Sequence, residues 1–350
     1  MEKIVITVLN AETVSVVIVS HNSGKVLPDC LNSISGSDYP LTELIVVDNA
    51  STDGSIEDLK KRFPSIRVIQ NRGNLGYSRA ANKGLLASSS NLVVLINPDT
   101  VVEKSWLKEL VQATTRHPRS AFFQPKIMLL NKPGYINSAG NMIHIAGFGI
   151  CRGLEEYDRG QLDSEEEVSF ASGACVLVRS DALPEIGVCD ELFFMYMDDL
   201  DWGWRGKMLG WESTYVPSSV ILHRWSRTRE TPREKLYNLE LGRIVVLAKN
   251  LSLRSILTLS PIIIVLEMAV LSNAVLNGWF REKIKSYAYA LKSFSRIINR
   301  RRIVMKERRI PDRVILRTFL TEVRHPYVGA AGNGLGSICK LLFRILSPLL

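Results

Sequence analysis

No two of the five cysteines are spaced C-x-x-C. Cys30, Cys151, Cys175, Cys189 and Cys339 are odd in number and scattered. That usage argues against a zinc ribbon or a disulfide framework and predicts buried free thiols in a reducing compartment. Neither G-x-G-x-x-G nor G-x-x-x-x-G-K-[ST] occurs, so dinucleotide-fingerprint and P-loop chemistry are unsupported. Internal repeats and low-complexity tracts are also missing. No secretory leader is expected: Ile4–Leu9 is too short, and Glu12 interrupts it before Val14–Val19. Both runs read as short strands. Most of the chain also lacks net charge. The formal +9 is exceeded by Arg281–Arg317 alone, where 13 Lys/Arg face 3 Asp/Glu. A basic pI of about 9.3 would suggest a nucleic-acid partner, but the charge belongs to one segment and the remainder is near neutral.

What is present begins with size. At 350 residues, 46% hydrophobic, the chain can bury one large α/β domain plus an appendage, or two domains. Unbroken β-branched runs predict strands at Val14–Ser20, Glu43–Asp48, Ile66–Gln70 and Leu92–Ile96. Helical patterns fall between them at Val26–Ile34, Ile56–Phe63 and Tyr77–Ala87, and again at Trp106–Thr115. This βαβα rhythm predicts an α/β fold with a mostly parallel, doubly wound sheet. Ligands on such sheets bind beyond the carboxyl ends of the strands, where Asp48 and Asn97-Pro98-Asp99 stand. Pro125–Gly160 carries mixed signals. Phe170–Arg179 and Ser213–Leu222 read as later strands, the second ending in His223.

Ser255–Leu276 is strongly apolar with Glu267 as its one charge. At roughly 20 residues it is long enough to span a bilayer. Pro261 and Glu267 oppose a simple span, and one crossing would separate the basic segment from the first domain. An interfacial or re-entrant helical segment fits better, with Arg281–Arg317 on an anionic membrane surface. The alternative is a buried helix of a soluble C-terminal bundle. Cys339–Leu350, apolar but dotted with Lys340 and Arg344, favours the surface-bound reading. The expected division is residues 1–250 as a catalytic domain and 251–350 as a helical, membrane-associated region on the cytoplasmic face.

Three aspartates crowd Met197-Asp198-Asp199-Leu200-Asp201-Trp202 directly after the apolar Leu192–Tyr196. Buried carboxylates need a metal, a cation or a proton, and one with a raised pKa suits a general base. They equally suit a helix N-terminus running through Trp202-Gly203-Trp204-Arg205. Local sequence leaves both open. Each other candidate also has a plain alternative. Asp48 could cap its own turn, Arg79 could be a solvated helix residue, and His223 could be a satisfied structural histidine. Asp99 with His223 could serve Mg²⁺ or Mn²⁺, the remaining positions going to phosphates and water.

The ordered set is what stands out. It comprises Val16–Asn22, Val46–Ser55, Asn74-Leu75-Gly76-Tyr77 with Asn82-Lys83-Gly84, and Leu95–Thr100. Ser172-Gly173-Ala174 follows, then Asp190–Phe194 leading to Asp199–Trp202, then Arg205 with Gly210-Trp211. Across about Thr13 to Thr228 this resembles the family 2 inverting glycosyltransferases, with their GT-A fold, and most closely the rhamnosyltransferase-like branch. The resemblance implies that Ser20, Asp48, Arg79 and Asn97 contact the donor nucleotide, and that Asp99 and His223 hold a divalent cation. It makes Asp199 the catalytic base, with Asp198 as runner-up, and puts Ser172, Gly173, Ala174, Asp201 and Trp202 on the acceptor side. The implied partners are a nucleoside-diphosphate sugar, rhamnose first, and a lipid-linked or polysaccharide acceptor. Asn97-Pro98 departs from the acidic start of the family's D-x-D motif, though the rhamnosyltransferase-like branch commonly shows it. The Q-x-x-R-W signature of processive synthases is missing after His223, so one or few sugar additions are expected. The rival readings are a sugar nucleotidyltransferase and an inactive membrane scaffold with a transferase fold.

Overall fold

A computed structural model describes residues 12–225, 233–322 and 332–350. Ile4–Leu9 and the end of the stretch carrying the resemblance, beyond Trp225, lie outside these residues. The alternation runs β1 (Val14–Ser20), α1 (Leu27–Ser35), β2 (Glu43–Asp48), α2 (Ser55–Arg62), β3 (Arg67–Gln70), α3 (Tyr77–Ala87) and β4 (Leu92–Ile96). Then come β5 (Thr100–Val102), α4 (Trp106–Arg116), β6 (Ser120–Leu129), β7 (Ile136–Ser138), β8 (Asn141–Ile143), β9 (Gly149–Cys151) and β10 (Glu166–Val168). β11 (Cys175–Arg179), α5 (Leu183–Ile186), α6 (Asp198–Leu209) and β12 (Glu212–His223) complete the α/β unit. Among the described residues the α-helices that follow are α7 (Arg233–Asn250), α8 (Leu253–Leu276), α9 (Phe280–Lys292), α10 (Phe294–Glu307), α11 (Asp312–Ile315) and α12 (Gly332–Leu346).

The main sheet has ten strands and runs β10-β12-β6-β11-β4-β1-β2-β3, with β5 on β12 and β7 on β6. β1 pairs in parallel with β2 and β4, β2 with β3, and β6 with β12. β11 runs antiparallel between β4 and β6. Every residue of β1 and of β4 is buried, as a strand covered by helices on both faces requires. Each buried Val or Ile there contributes about 1.5–3 kcal/mol of burial free energy. Gly84 lets α3 lie directly on β1; a Cβ there would collide with Val17. In register, Ser20 pairs with Asp48, so β1 and β2 end together. His223 pairs with Thr100, which brings the end of β12 to the turn after β4. Asp48, Asp99 and His223, the positions singled out as strand ends, therefore share one edge of the sheet.

Two sequence expectations change. The strand expected over Phe170–Arg179 is shortened to Cys175–Arg179, because Ser172-Gly173-Ala174 turns its backbone toward α6 instead of continuing the ladder. Cys151 is exposed, whereas the other four cysteines are buried and free.

The helical region does not stand apart from the α/β unit. One apolar cluster joins Phe148, Phe170, Phe193, Leu200 and Trp204 to Leu241, Val246, Leu266, Val270 and Ile297. Gly242 of α7 sits so close to Met197 that an added Cβ would meet its side chain at 2.7 Å. Glu267 does not face outward: it pairs with Arg243 of α7 and with Lys283 of α9, the latter at 2.5 Å, and accepts a hydrogen bond from Tyr287. Glu240 completes the group, accepting from Arg243 at 2.8 Å and from Lys283. These charges are matched two against two, which is what makes their burial tolerable. On its other face α8 exposes Leu257, Ile264, Met268 and Val275. α8 is long and apolar enough to cross a membrane by length and composition.

Candidate active site

A cavity of about 580 Å³ opens at the carboxyl edge of the sheet. One wall comes from the turns after β1, β2 and β4. Asp48 is 3% exposed, and its Oδ1 accepts the Ser51 N–H at 2.9 Å, so it braces the turn that follows β2. Ser20 beside it is fully buried, and its hydroxyl has no partner among the described residues. Of the residues expected at the nucleotide, Asn97 lines the cavity, whereas Ser20 and Asp48 are buried behind its wall. Arg79 does not; its Nε lies 3.2 Å from Glu191, with both side chains about half exposed. Asn49, which sequence reasoning missed, organises this wall. Its amide donates to Asn74 Oδ1 at 2.8 Å, and its carbonyl accepts from Asn71 and from the Leu75 N–H.

Asp99 and His223 meet across the strand edge, with Oδ1 and Nε2 3.3 Å apart. The other ring nitrogen of His223, Nδ1, lies 3.0 Å from Asn137 Oδ1, which fixes the ring plane. Burial raises the Asp99 carboxyl, but His223 and Arg224 outweigh it and hold the group below its ordinary value. Among the described residues no group of three or more His, Cys, Asp or Glu side chains converges on a point. A carboxylate and an imidazole nonetheless fit a Mg²⁺ or Mn²⁺ ion whose other ligands are phosphate oxygens and water.

The acidic cluster divides into two parts with different surroundings. α6 begins at Asp198, immediately after Tyr196 and Met197, both in the left-handed region at φ of 64° and 66°. Two adjacent non-glycine residues there are costly and hold the helix start at a fixed corner. Asp199 Oδ2 accepts the Gly173 N–H at 2.9 Å, and Oδ1 accepts the Leu200 N–H at 2.8 Å. Burial raises its pKa while these backbone donors oppose the rise. Asp198, 4% exposed, is pushed up to about 8 by burial and then by the neighbouring Asp199 charge. Of the two, the fixed N–H groups favour Asp199 as the more readily ionised member. Both line the cavity.

Asp201 and Trp202, expected on the acceptor side, face the interior instead. Asp201 is fully buried and accepts from Arg205 at 2.9 Å, Lys249 at 2.8 Å and Asn250 at 2.9 Å. It sits one helical turn from Asp198, and the turn points it at α7. Trp202 is 2% exposed; its indole N–H donates to Gly187 O at 2.8 Å and its ring packs edge-on against Phe122. Ser172, Gly173 and Ala174 do line the cavity, with the Ser172 N–H held by Gln124 Oε1 at 2.7 Å. The remaining wall is one the sequence did not announce. It comprises Phe148 and Cys151 beside β9, together with Lys235, Leu239 and Arg243 of α7. Only the i, i+4 spacing of Lys235, Leu239 and Arg243 could have hinted that one face of α7 is shared.

The model of the family described as "Glycosyl transferase family 2" matches residues 15–187, a span that ends before the acidic cluster and His223. An "N-acetylglucosaminyl-diphospho-decaprenol L-rhamnosyltransferase" of Mycobacterium tuberculosis, found in strains CDC 1551 / Oshkosh and ATCC 25618 / H37Rv, is 32% identical over 234 residues. The match spans 61% of this chain and 76% of that protein. A "Low-salt glycan biosynthesis hexosyltransferase Agl10" of Haloferax volcanii is 26% identical over 207 residues, covering 56% of this chain and 62% of that one. Among solved structures, the crystal structure of GalNAc-T7 with UDP, GalNAc and Mn2+ superposes with a TM-score of 0.52 at 16% identity. It covers 69% of this chain and 51% of that chain, so the likeness is one of fold, the GT-A arrangement of a mostly parallel sheet flanked by helices.

Proposed function

This chain belongs to glycosyl transferase family 2, and from that premise we propose that it moves a sugar from a nucleoside-diphosphate donor to a hydroxyl of a lipid-linked acceptor, with inversion. The observation that carries this reading is Asp199. Two backbone N–H groups hold its carboxylate in the same cavity as the Asp99–His223 pair. The acceptor hydroxyl gives its proton to Asp199 as its oxygen forms a bond to the anomeric carbon. The bond from that carbon to the diphosphate oxygen breaks, and the nucleoside diphosphate leaves with the electron pair. One displacement on the face opposite the leaving group inverts the configuration, so no second nucleophilic carboxylate is required. Asp99 and His223 are the residues to hold a divalent cation, which would neutralise charge on the diphosphate. Asn97 lines the nucleotide end, Ser20 and Asp48 brace the strand ends and turn behind it, and Arg79 pairs with Glu191 outside the cavity.

Rhamnose is the first donor sugar to test, since the relative at 32% identity bears an L-rhamnosyltransferase name. A screen of dTDP-rhamnose against UDP-linked galactose, galactofuranose and N-acetylglucosamine, with and without Mn²⁺, tests the reading. Transfer with an inverted anomeric proton in the product NMR spectrum is expected, abolished by Asp199→Asn. Retention of configuration, or full transfer by that variant, would overturn the base assignment.

The reading includes a place for the enzyme, on the cytoplasmic face of a membrane. The exposed stripe of α8, Leu257, Ile264, Met268 and Val275, has a companion in Ile338, Leu341 and Ile345 of α12, interleaved with Lys340 and Arg344. Apolar side chains set among cations suit the headgroup layer of anionic lipid. Glu267 faces Arg243 and Lys283, so an interfacial position leaves its charge matched. Flotation with phosphatidylglycerol vesicles is expected for the wild type and lost in Ile264→Glu/Met268→Glu. Equal flotation of the two proteins would remove the membrane from the reading.

A further inference from the structure

Acidic groups crowd the cavity wall: Asp99, Asp198, Asp199 and Glu240 all line it. The two non-histidine cations that line it among the described residues differ in how they are held. Arg243 is 2% exposed and clamped by Glu240 and Glu267. Lys235 has no carboxylate partner among the described residues, and its ammonium lies 5.3 Å from the centre of the Tyr196 ring. Partial burial holds the Lys235 ammonium below its ordinary pKa, with the Cys151 thiol opposing. Cys151 and Lys235 line the same cavity as Asp198 and Asp199. A desolvated ammonium with only an aromatic face for company is costly unless something anionic joins it. Proteins that handle phosphate place such lysines as point charges.

We infer that Lys235 is an anion-binding residue of the cavity, taking a phosphate oxygen between the Tyr196 ring and the α6 carboxylates. The identity of that phosphate, though not the site, rests on the transferase reading. It is either the diphosphate of the donor or the phosphate that links an acceptor glycan to its lipid, and both offer the same chemistry. Lys235 contacts the phosphate and not the reacting hydroxyl, so its loss weakens binding without abolishing the chemical step.

Calorimetric titration of inorganic pyrophosphate, UDP and dTDP, each with Mn²⁺, into the full chain compares wild type with Lys235→Met and Lys235→Arg. Thermal melts establish that the variants fold. Lys235→Met is expected to weaken at least one of these anions, or the lipid-linked acceptor, about tenfold, while Lys235→Arg keeps most of the affinity. Kinetics with N-acetylglucosaminyl-diphospho-decaprenol and with octyl N-acetylglucosaminide then separate the sources. A rise in KM confined to the phosphate-bearing acceptor, with nucleotide affinity unchanged, assigns the site to the acceptor. Weaker UDP or dTDP binding with both acceptor KM values unchanged assigns it to the donor. A folded Lys235→Met protein with wild-type affinities and KM values overturns the inference, even if sugar transfer is robust. Pyrophosphate binding that depends on Lys235, in a protein that transfers no sugar, keeps the inference and sinks the transferase reading.

Discussion

At the strand edge of the cavity Asp99 leans on an imidazole; at the start of α6, Asp198 and Asp199 lean on each other. One turn further along α6, Asp201 is saturated by Lys249, Arg205 and Asn250. Three carboxylates within four residues thus meet opposite fates. Asp201 is held below its ordinary value because Lys249 and Arg205 outweigh the burial that would raise it. Asp198, without a cation, is driven up. What sets the opposite ionisation of these carboxylates is neither burial nor residue type but the partner that the neighbouring helix supplies.

The sharpest way to break this comparison is Asp199→Asn, expected to lower transfer by roughly 10³-fold while leaving UDP or dTDP affinity near wild type, as calorimetry would show. Should Asp198→Asn produce that loss and Asp199→Asn not, the roles are reversed. Next in size is Lys249→Met, which leaves Asp190 and Asp201 without their shared ammonium. A destabilisation of about 3–5 kcal/mol in chemical denaturation is expected; a change below about 1 kcal/mol would mean that Arg205 and Asn250 suffice. His223→Ala should weaken Mn²⁺-dependent nucleotide binding by about 10–100-fold and leave metal-free binding unchanged. Equal weakening in the presence of EDTA would assign His223 to the nucleotide rather than to a cation.

The smallest effect is one of pH. Asp198 ionises near 3.8 when unfolded and near 8 when folded. Between those values the folded chain binds the extra proton, so stability falls as pH rises from about 4 to about 8. Asp198→Asn is expected to flatten that fall and to gain ~1–2 kcal/mol at pH 8 in denaturation monitored across the range. Asp201 has the opposite sign: its contribution is present above the unfolded value of 3.8 and is lost as pH drops below it. A wild-type stability that stays level or rises between pH 5 and pH 8 would show that Asp198 is ionised in the folded chain, since the Asp201 contribution is already complete above pH 5.

Legibility of the site in the sequence followed the range of the interaction. β1, β2 and β4 fall where β-branched runs place them, because strands covered on both faces show burial in consecutive residues. Asp99 and His223 were legible as strand ends, but their meeting depends on β12 lying against β5, a pairing no local pattern encodes. The acidic cluster showed that carboxylates were gathered, not which way each pointed. Asp201 is claimed by Lys249, 48 residues away, and Asp199 by the backbone of Gly173. That same contact cost the expected strand its first five residues: a glycine N–H aimed at a carboxylate cannot also join the ladder. The α7 wall was illegible for a different reason. Its buried side reads as an ordinary helix of a bundle until the α/β unit is set against it.

The missing side chain at Gly242 reaches beyond packing. α7 rests directly on Met197, the residue from which α6 departs. The same turn is locked to α8 and α9 through the Glu240–Arg243–Lys283–Glu267 group. If α8 rides on a bilayer as proposed, the base then stands at a set height above the lipid plane, joined to it by rigid helix rather than by a tether. Such an enzyme measures its acceptor as a gauge does. A hydroxyl one sugar too near the lipid, or one too far, would miss Asp199 even with every contact to the sugar itself intact.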